Sequence, residues 1–167
     1  MKNFFKKYAL TIALVTSIIL TFITTTTFAE TKWATLCGFT YDDGINTSSD
    51  AYDCANYFNS AGYYSVVFNN ASAQSIYIDL PTQSIFFFSG HGDAGSLRCW
   101  NGSATSRIYA WGAAGMQNDI GGDYFLNKAP SLSKIKIAIF GGCNTANDGI
   151  SGNLLAEALS RGIQTSI

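Results

Sequence analysis

Histidine is all but missing: His91 is the only one in 167 residues. One imidazole cannot complete a His-rich metal site, and no pair among Cys37, Cys54, Cys99 and Cys143 has zinc-finger spacing, so no metal is expected. Charge is also scarce, at 13% of residues, with no basic stripe and no block of like sign. That removes the electrostatic footprint of a nucleic-acid binder. The chain has no internal repeat and no sign of a second domain. Aromatic residues make up 14%, so the chain can bury a core and is not expected to be disordered.

The N-terminus is distinct. Lys2, Lys6 and Lys7 precede an uncharged, largely apolar stretch from Tyr8 to Phe28, and Thr27 and Ala29 are followed by Glu30. This pattern predicts a signal peptide over residues 1–29, cleaved after Ala29, and hence a secreted or extracytoplasmic protein. The alternative is an uncleaved anchor, since the stretch is long enough for a hydrocarbon core of ~30 Å. The threonines at 24–27 favour cleavage, and membrane contact is expected only if the segment is retained. Removing it leaves seven basic and eleven acidic groups, a net charge of −4, in one domain over residues 30–167.

Within that domain, residues 32–39 and 63–68 read as strands, and the residues between them as a loop and a helix. The loop is Tyr41-Asp42-Asp43-Gly44-Ile45-Asn46. The helix begins at a Ser48 or Ser49 cap and places Ala51, Cys54, Ala55 and Phe58 on one face. A short helix over 72–80 leads into a strand ending near Ser89. The segments 96–101 and 107–111 form an expected antiparallel hairpin, followed by a glycine-rich loop (Gly112, Gly115, Gly121, Gly122) and a short helix over 123–129. After Cys143, a helix capped by Ser151 runs to Arg161, Gly162 closes it, and residues 163–167 begin a fifth strand. Alternating strands and helices predict an α/β fold with a mostly parallel central sheet and a hairpin insertion. The chain stops where such a sheet would continue, so C-terminal truncation is carried as an expectation.

The most informative feature is a pair of apolar strands that each end in a reactive residue. Ile85-Phe86-Phe87-Phe88-Ser89 leads into Gly90-His91-Gly92, and Ile135 to Phe140 leads into Gly141-Gly142-Cys143-Asn144. If the strands are parallel neighbours, the imidazole and the thiol emerge at one sheet edge, the carboxyl edge at which open α/β sheets bind ligands. A histidine or a cysteine alone at a strand end is more simply structural; together they suggest nucleophilic catalysis. Gly90 to Gly95 also fits G-x-G-x-x-G, but the following Ser96-Leu97-Arg98-Cys99-Trp100 reads as strand rather than helix, so no dinucleotide cofactor is expected. An even cysteine count in a secreted chain invites a disulfide reading, but the four lie in separate elements. Cys37 and Cys54 read as buried small hydrophobes.

Strands ending in Gly-His-Gly and Gly-Cys resemble those of the caspase-like cysteine peptidases, which include caspases, legumains, gingipains, clostripains and CHAT domains. The His91 to Cys143 interval suits their spacing, and the order of elements agrees over nearly the whole mature chain. Where caspases carry Gln-Ala-Cys, this chain has Gly141-Gly142-Cys143-Asn144-Thr145, closer to the secreted bacterial-type or CHAT-like branches. The resemblance implies a three-layer caspase-like fold and a secreted cysteine endopeptidase acting on protein or peptide substrates. It implies Cys143 as nucleophile, His91 as general acid–base, and the N–H groups of Gly92 and Cys143 as oxyanion donors. Asp42 and Asp43 are candidates for a specificity wall, against the plainer reading of a solvated turn. Two alternatives stand beside the peptidase. One is a non-catalytic caspase-like binding module or inactive relative, using an aromatic surface at Trp100, Tyr109 and Trp111. The other is a different acyl hydrolase such as a thioesterase.

Overall fold

The computed structural model describes residues 30–113 and 122–167. The expected signal segment, Gly115 and Gly121 lie outside the described residues. The elements in chain order are β1 (Trp33–Gly38), α1 (Ser48–Ser60), β2 (Tyr64–Asn69), α2 (Ala73–Asp79), β3 (Ile85–Ser89), β4 (Gly92–Asp93), β5 (Ser96–Trp100), β6 (Thr105–Tyr109), β7 (Tyr124–Phe125), β8 (Ile137–Gly141) and α3 (Leu154–Ser160). Strands β2, β1, β3 and β8 form one sheet in that order, every pair parallel.

The period-two alternation of these strands divides the core between two faces. On one face Ala34, Leu36 and Ile85 pack against Ala51 and Ala55 of α1, with Cys54 and Phe58 partly buried beside them. On the other, Cys37, Phe86, Phe88, Ala138 and Phe140 meet Ile76 of α2, Leu154 and Ala158 of α3, and Leu97, Cys99 and Ile108 of the hairpin. The result is three layers. Each fully buried Phe or Ile contributes about 1.5–3 kcal/mol through loss of apolar surface to water. Thr35 is buried among these groups, and its hydroxyl donates to the Asp79 carboxylate.

The ends of the elements differ from the sequence expectation in three places. At the start of α1 the N-cap position is Thr47, not Ser48 or Ser49, and its side chain makes no capping bond. The Thr47 hydroxyl instead donates to the Ser89 carbonyl (2.6 Å) and accepts from the Phe39 N–H (3.1 Å), tying the ends of β1 and β3 together. Asn153, rather than Ser151, caps α3, with Oδ1 accepting from the Ala156 N–H at 3.0 Å. The expected helix over 123–129 is strand β7 followed by a 3-10 turn, Leu126–Lys128. There Asp123 accepts the Arg107 N–H at 2.7 Å, Phe125 stacks on Tyr109, and Tyr124 packs on Tyr77. These tertiary contacts override the weak local helix preference of the segment.

A second sheet, in the order β4, β5, β6, β7, contains the expected β5–β6 hairpin. Residues 163–167 run beside β8: Ser166 bridges Ala138 in parallel, and the Phe140 N–H donates to the Ile167 carbonyl at 2.8 Å. Among the described residues, no helix is long and apolar enough to cross a membrane.

Candidate active site

β3 and β8 are direct neighbours, with Ser89 opposite Gly141 at their ends. The Gly90 N–H extends the pairing by one bond to the Gly141 carbonyl, 3.0 Å away. His91 and Cys143 each follow their end residue by two positions, so both leave the sheet at the same edge and level. His91 is partly exposed, and the Cys143 thiol is free and exposed. The remaining thiols differ from it. Cys37 and Cys99 are fully buried, and burial pushes both well above the ordinary thiol range. Cys54, half-buried on α1, is raised by desolvation and by the charges of Asp50 and Asp53.

Beyond the strand ends the two backbones nearly touch. A methyl group placed on Gly92 would lie 3.1 Å from the Cys143 carbonyl oxygen and 3.2 Å from Gly142 Cα; one on Gly142 would lie 3.2 Å from Gly92 N. A side chain at Gly92 would collide with Thr145, and one at Gly142 would push the Gly92 backbone away by a few tenths of an ångström. Thr145 holds the turn from below, its hydroxyl within bonding reach of the Phe140 carbonyl (3.0 Å) and the Gly142 carbonyl (3.1 Å). Asn144 follows with φ of +57°, a left-handed conformation that asparagine tolerates better than most residues.

The orientation of the Gly92 N–H follows from the β4–β5 ladder. Arg98 donates its N–H to the His91 carbonyl at 3.0 Å, and Gly92 lies opposite Leu97 in the next, non-hydrogen-bonded pair. Its N–H therefore faces away from β5, toward the edge occupied by Gly142 and Cys143. Among the described residues no acceptor takes the Cys143 N–H. Two amides thus lie at the turn that carries Cys143.

The loop after β1 supplies the surroundings of His91. Asp43 Oδ2 lies 2.8 Å from His91 Nε2. Partial desolvation pushes the Asp43 carboxyl up. The Ile45 N–H, the His91 imidazole and the charge of Arg98 outweigh that and hold it below the usual value. Asp42 reaches the Arg98 guanidinium at 3.5 Å, and Asp43 reaches it at 3.8 Å. The acidic loop is therefore at the site, with Asp43 directed at the imidazole and both carboxylates near a guanidinium.

Sequence reasoning missed Tyr41. Its hydroxyl accepts the His91 N–H (3.1 Å) and donates to the Arg98 carbonyl (2.6 Å), standing where a ladder bond between those two groups would otherwise run. Its ring meets the imidazole edge to face at 4.4 Å, and the Arg98 guanidinium lies 5.4 Å over the same ring. Burial is the main reason the phenol is pushed far above its ordinary range. An aromatic residue inside an otherwise polar turn was its only sequence signal. Of the residues of the suggested aromatic surface, Trp100 is half-buried, Tyr109 stacks on Phe125, and Trp111 is exposed. Among the described residues no cluster of three or more His, Cys, Asp or Glu side chains could hold a metal ion.

The class defined by this fold and site is a three-layer α/β domain with an imidazole and a free thiol at the carboxyl edge of a parallel sheet. No protein-family model matches the chain, and neither a curated protein nor a solved structure matches it significantly.

Proposed function

We propose that the protein is a secreted, caspase-like cysteine endopeptidase working through a His91–Cys143 dyad, with Asp43 as positioning residue. The observation that carries this reading is the register of Ser89 with Gly141, which sets both reactive residues two positions past adjacent strand ends. Asp43 accepts from Nε2–H and leaves Nδ1 as the nitrogen for proton transfer, fixing the tautomer. The Cys143 sulfur attacks the scissile carbonyl carbon, and its proton passes to His91. The developing oxyanion is held by the N–H groups of Gly92 and Cys143. Collapse breaks the C–N bond, His91 returns the proton to the leaving amine, and a thioester remains. Water, deprotonated by His91, then releases the acid and regenerates the thiol. Export is supported by the lysine-headed apolar segment at residues 1–29.

The test is a panel of fluorogenic peptides varied at the residue before the scissile bond, with wild type, Cys143→Ala and His91→Ala. Cleavage by wild type, abolished in both variants and accompanied by alkylation of Cys143 alone, supports the dyad. Cleavage that survives in Cys143→Ala rejects it. Hydrolysis of thioesters but not peptides would instead support the other acyl-hydrolase reading, and peptide binding without turnover the non-catalytic one.

A further inference from the structure

A second feature lies beside this site, between the hairpin and the segment that follows Cys143. A cavity of about 360 Å³ is bordered by Tyr109, Trp111, Asp123, Phe125, Ile150 and Ser151. Its size is within the range of specific small-ligand sites. Tyr109 and Phe125 form one wall, stacked at 5.7 Å with 23° between their planes. Trp111 and Ile150 are both well exposed, at 48% and 103%, so the cavity opens to solvent. The post-cysteine segment is fastened to it: the Trp111 N–H donates to the Ser151 carbonyl at 2.8 Å. Gly149 and Gly152 hold each other in a bridge, and Gly149 packs closely on Ala94.

The charge of this face is specific. Asp123 spends one oxygen on the Arg107 N–H (2.7 Å), and among the described residues no group donates to the other. The neighbouring cation, the Arg107 guanidinium, is held by Asp93 at 2.7 Å and by Ser96 at 3.0 Å. Asp93 pairs with that guanidinium, whereas Asp123 meets only the Arg107 backbone N–H, so the Asp123 charge is left among aromatic faces. Aromatic faces attract cations and repel anions, and the apolar walls suit the methylene stem of a long basic side chain.

We propose that this cavity is a subsite for the lysine or arginine side chain of a peptide laid along the segment that follows Cys143. The peptide's placement rests on the peptidase reading, whereas the charge preference rests on the cavity alone. The experiment therefore measures binding without turnover. Blocked Ala-Ala-Arg-Ala-Ala and its citrulline analogue, equal in shape but uncharged, are titrated into the Cys143→Ala protein while tryptophan fluorescence and amide NMR shifts are followed. The expected result is about tenfold tighter binding of the arginine peptide, with the largest shifts at Tyr109, Trp111 and Asp123.

Asp123→Asn keeps an oxygen for the Arg107 N–H and should bring the two affinities together. Trp111→Ala, at an exposed position, should weaken binding of the arginine peptide while leaving the melting temperature unchanged. Equal affinity for the two peptides overturns the proposal, as does a preference for arginine that persists in Asp123→Asn. Cleavage by the wild-type enzyme bears only on the catalytic reading, so the two failures are distinguishable.

Discussion

His91 Nε2 and Asp43 Oδ2 lie 2.8 Å apart, joining the strand-end imidazole to a loop 48 residues earlier in the chain. Asp43→Asn keeps an oxygen that can accept from Nε2–H but removes the charge that would stabilise an imidazolium. Peptide cleavage should fall ~10–100-fold in kcat with little change in KM, a smaller loss than the ~10²–10⁴-fold expected on removing a general acid–base. An unchanged kcat in Asp43→Asn would reduce the pair to a surface contact.

The same pair predicts a pH dependence of stability. The Asp43 carboxyl is held below its ordinary value in the folded protein. Its contribution is therefore fully present above the unfolded value of about 4, and is lost as pH falls through the lowered folded value. Melting temperatures of wild type and Asp43→Asn should differ at pH 6 and converge near pH 2. A gap that widens toward acid would give the opposite sign and exclude this linkage.

Tyr41→Phe retains the ring over His91 and removes only the hydroxyl. It leaves the His91 N–H and the Arg98 carbonyl without their shared partner at a part-buried position. Leaving such groups unsatisfied costs about 1–3 kcal/mol, and the imidazole loses its backbone anchor. Denaturant unfolding should show the lower stability, and cleavage should drop with it. Stability equal to wild type would mean that water replaces the hydroxyl at no cost.

The parts of this arrangement legible in the sequence were those set by local pattern. The run ending at Ser89 is apolar on both sides because β3, inside the sheet, is covered on both faces. β8 lies at the end of the strand order and buries Ala138 and Phe140 on one face while Ile137 is exposed; the two apolar runs still made their neighbourhood inferable. The helix face of Ala51 and Ala55 was equally visible. What pattern could not show was where the loop after β1 travels. Nothing local tells that Tyr41 inserts between His91 and Arg98, or that Asp43 meets the imidazole, because both depend on close approach of chain segments about 50 residues apart. The β7 segment was unreadable for the same reason: Tyr124 and Phe125 are fixed by Tyr77 and Tyr109, not by their neighbours in sequence.

The four thiols should react in a fixed order. Cys143 is exposed, Cys54 is half-buried with its thiol raised, and Cys37 and Cys99 are enclosed with theirs raised further. Because the thiolate is the reacting form, iodoacetamide on the native protein should modify Cys143 first, Cys54 slowly, and the other two only after unfolding. Peptide mapping by mass spectrometry reads this order directly. Early modification of Cys99 would show that the hairpin opens in the native state.

Gly92 sets the spacing between the two reactive segments. A methyl group at this position would lie 2.5 Å from Thr145 Cγ2 and 3.1 Å from the Cys143 carbonyl oxygen. Thr145 cannot swing aside without giving up its contacts to the Phe140 and Gly142 carbonyls. Gly92→Ala should therefore cost about 1–3 kcal/mol, the range for overpacking a tight site, and displace the Cys143 turn. Replacing Thr145 by Ser in the same protein removes the colliding methyl and keeps the hydroxyl. Stability should then return in large part, whereas activity should recover less, because the crowded atom of Cys143 is backbone and must still shift. Full recovery of cleavage in the double variant would show that the spacing of these two backbones does not matter to the chemistry.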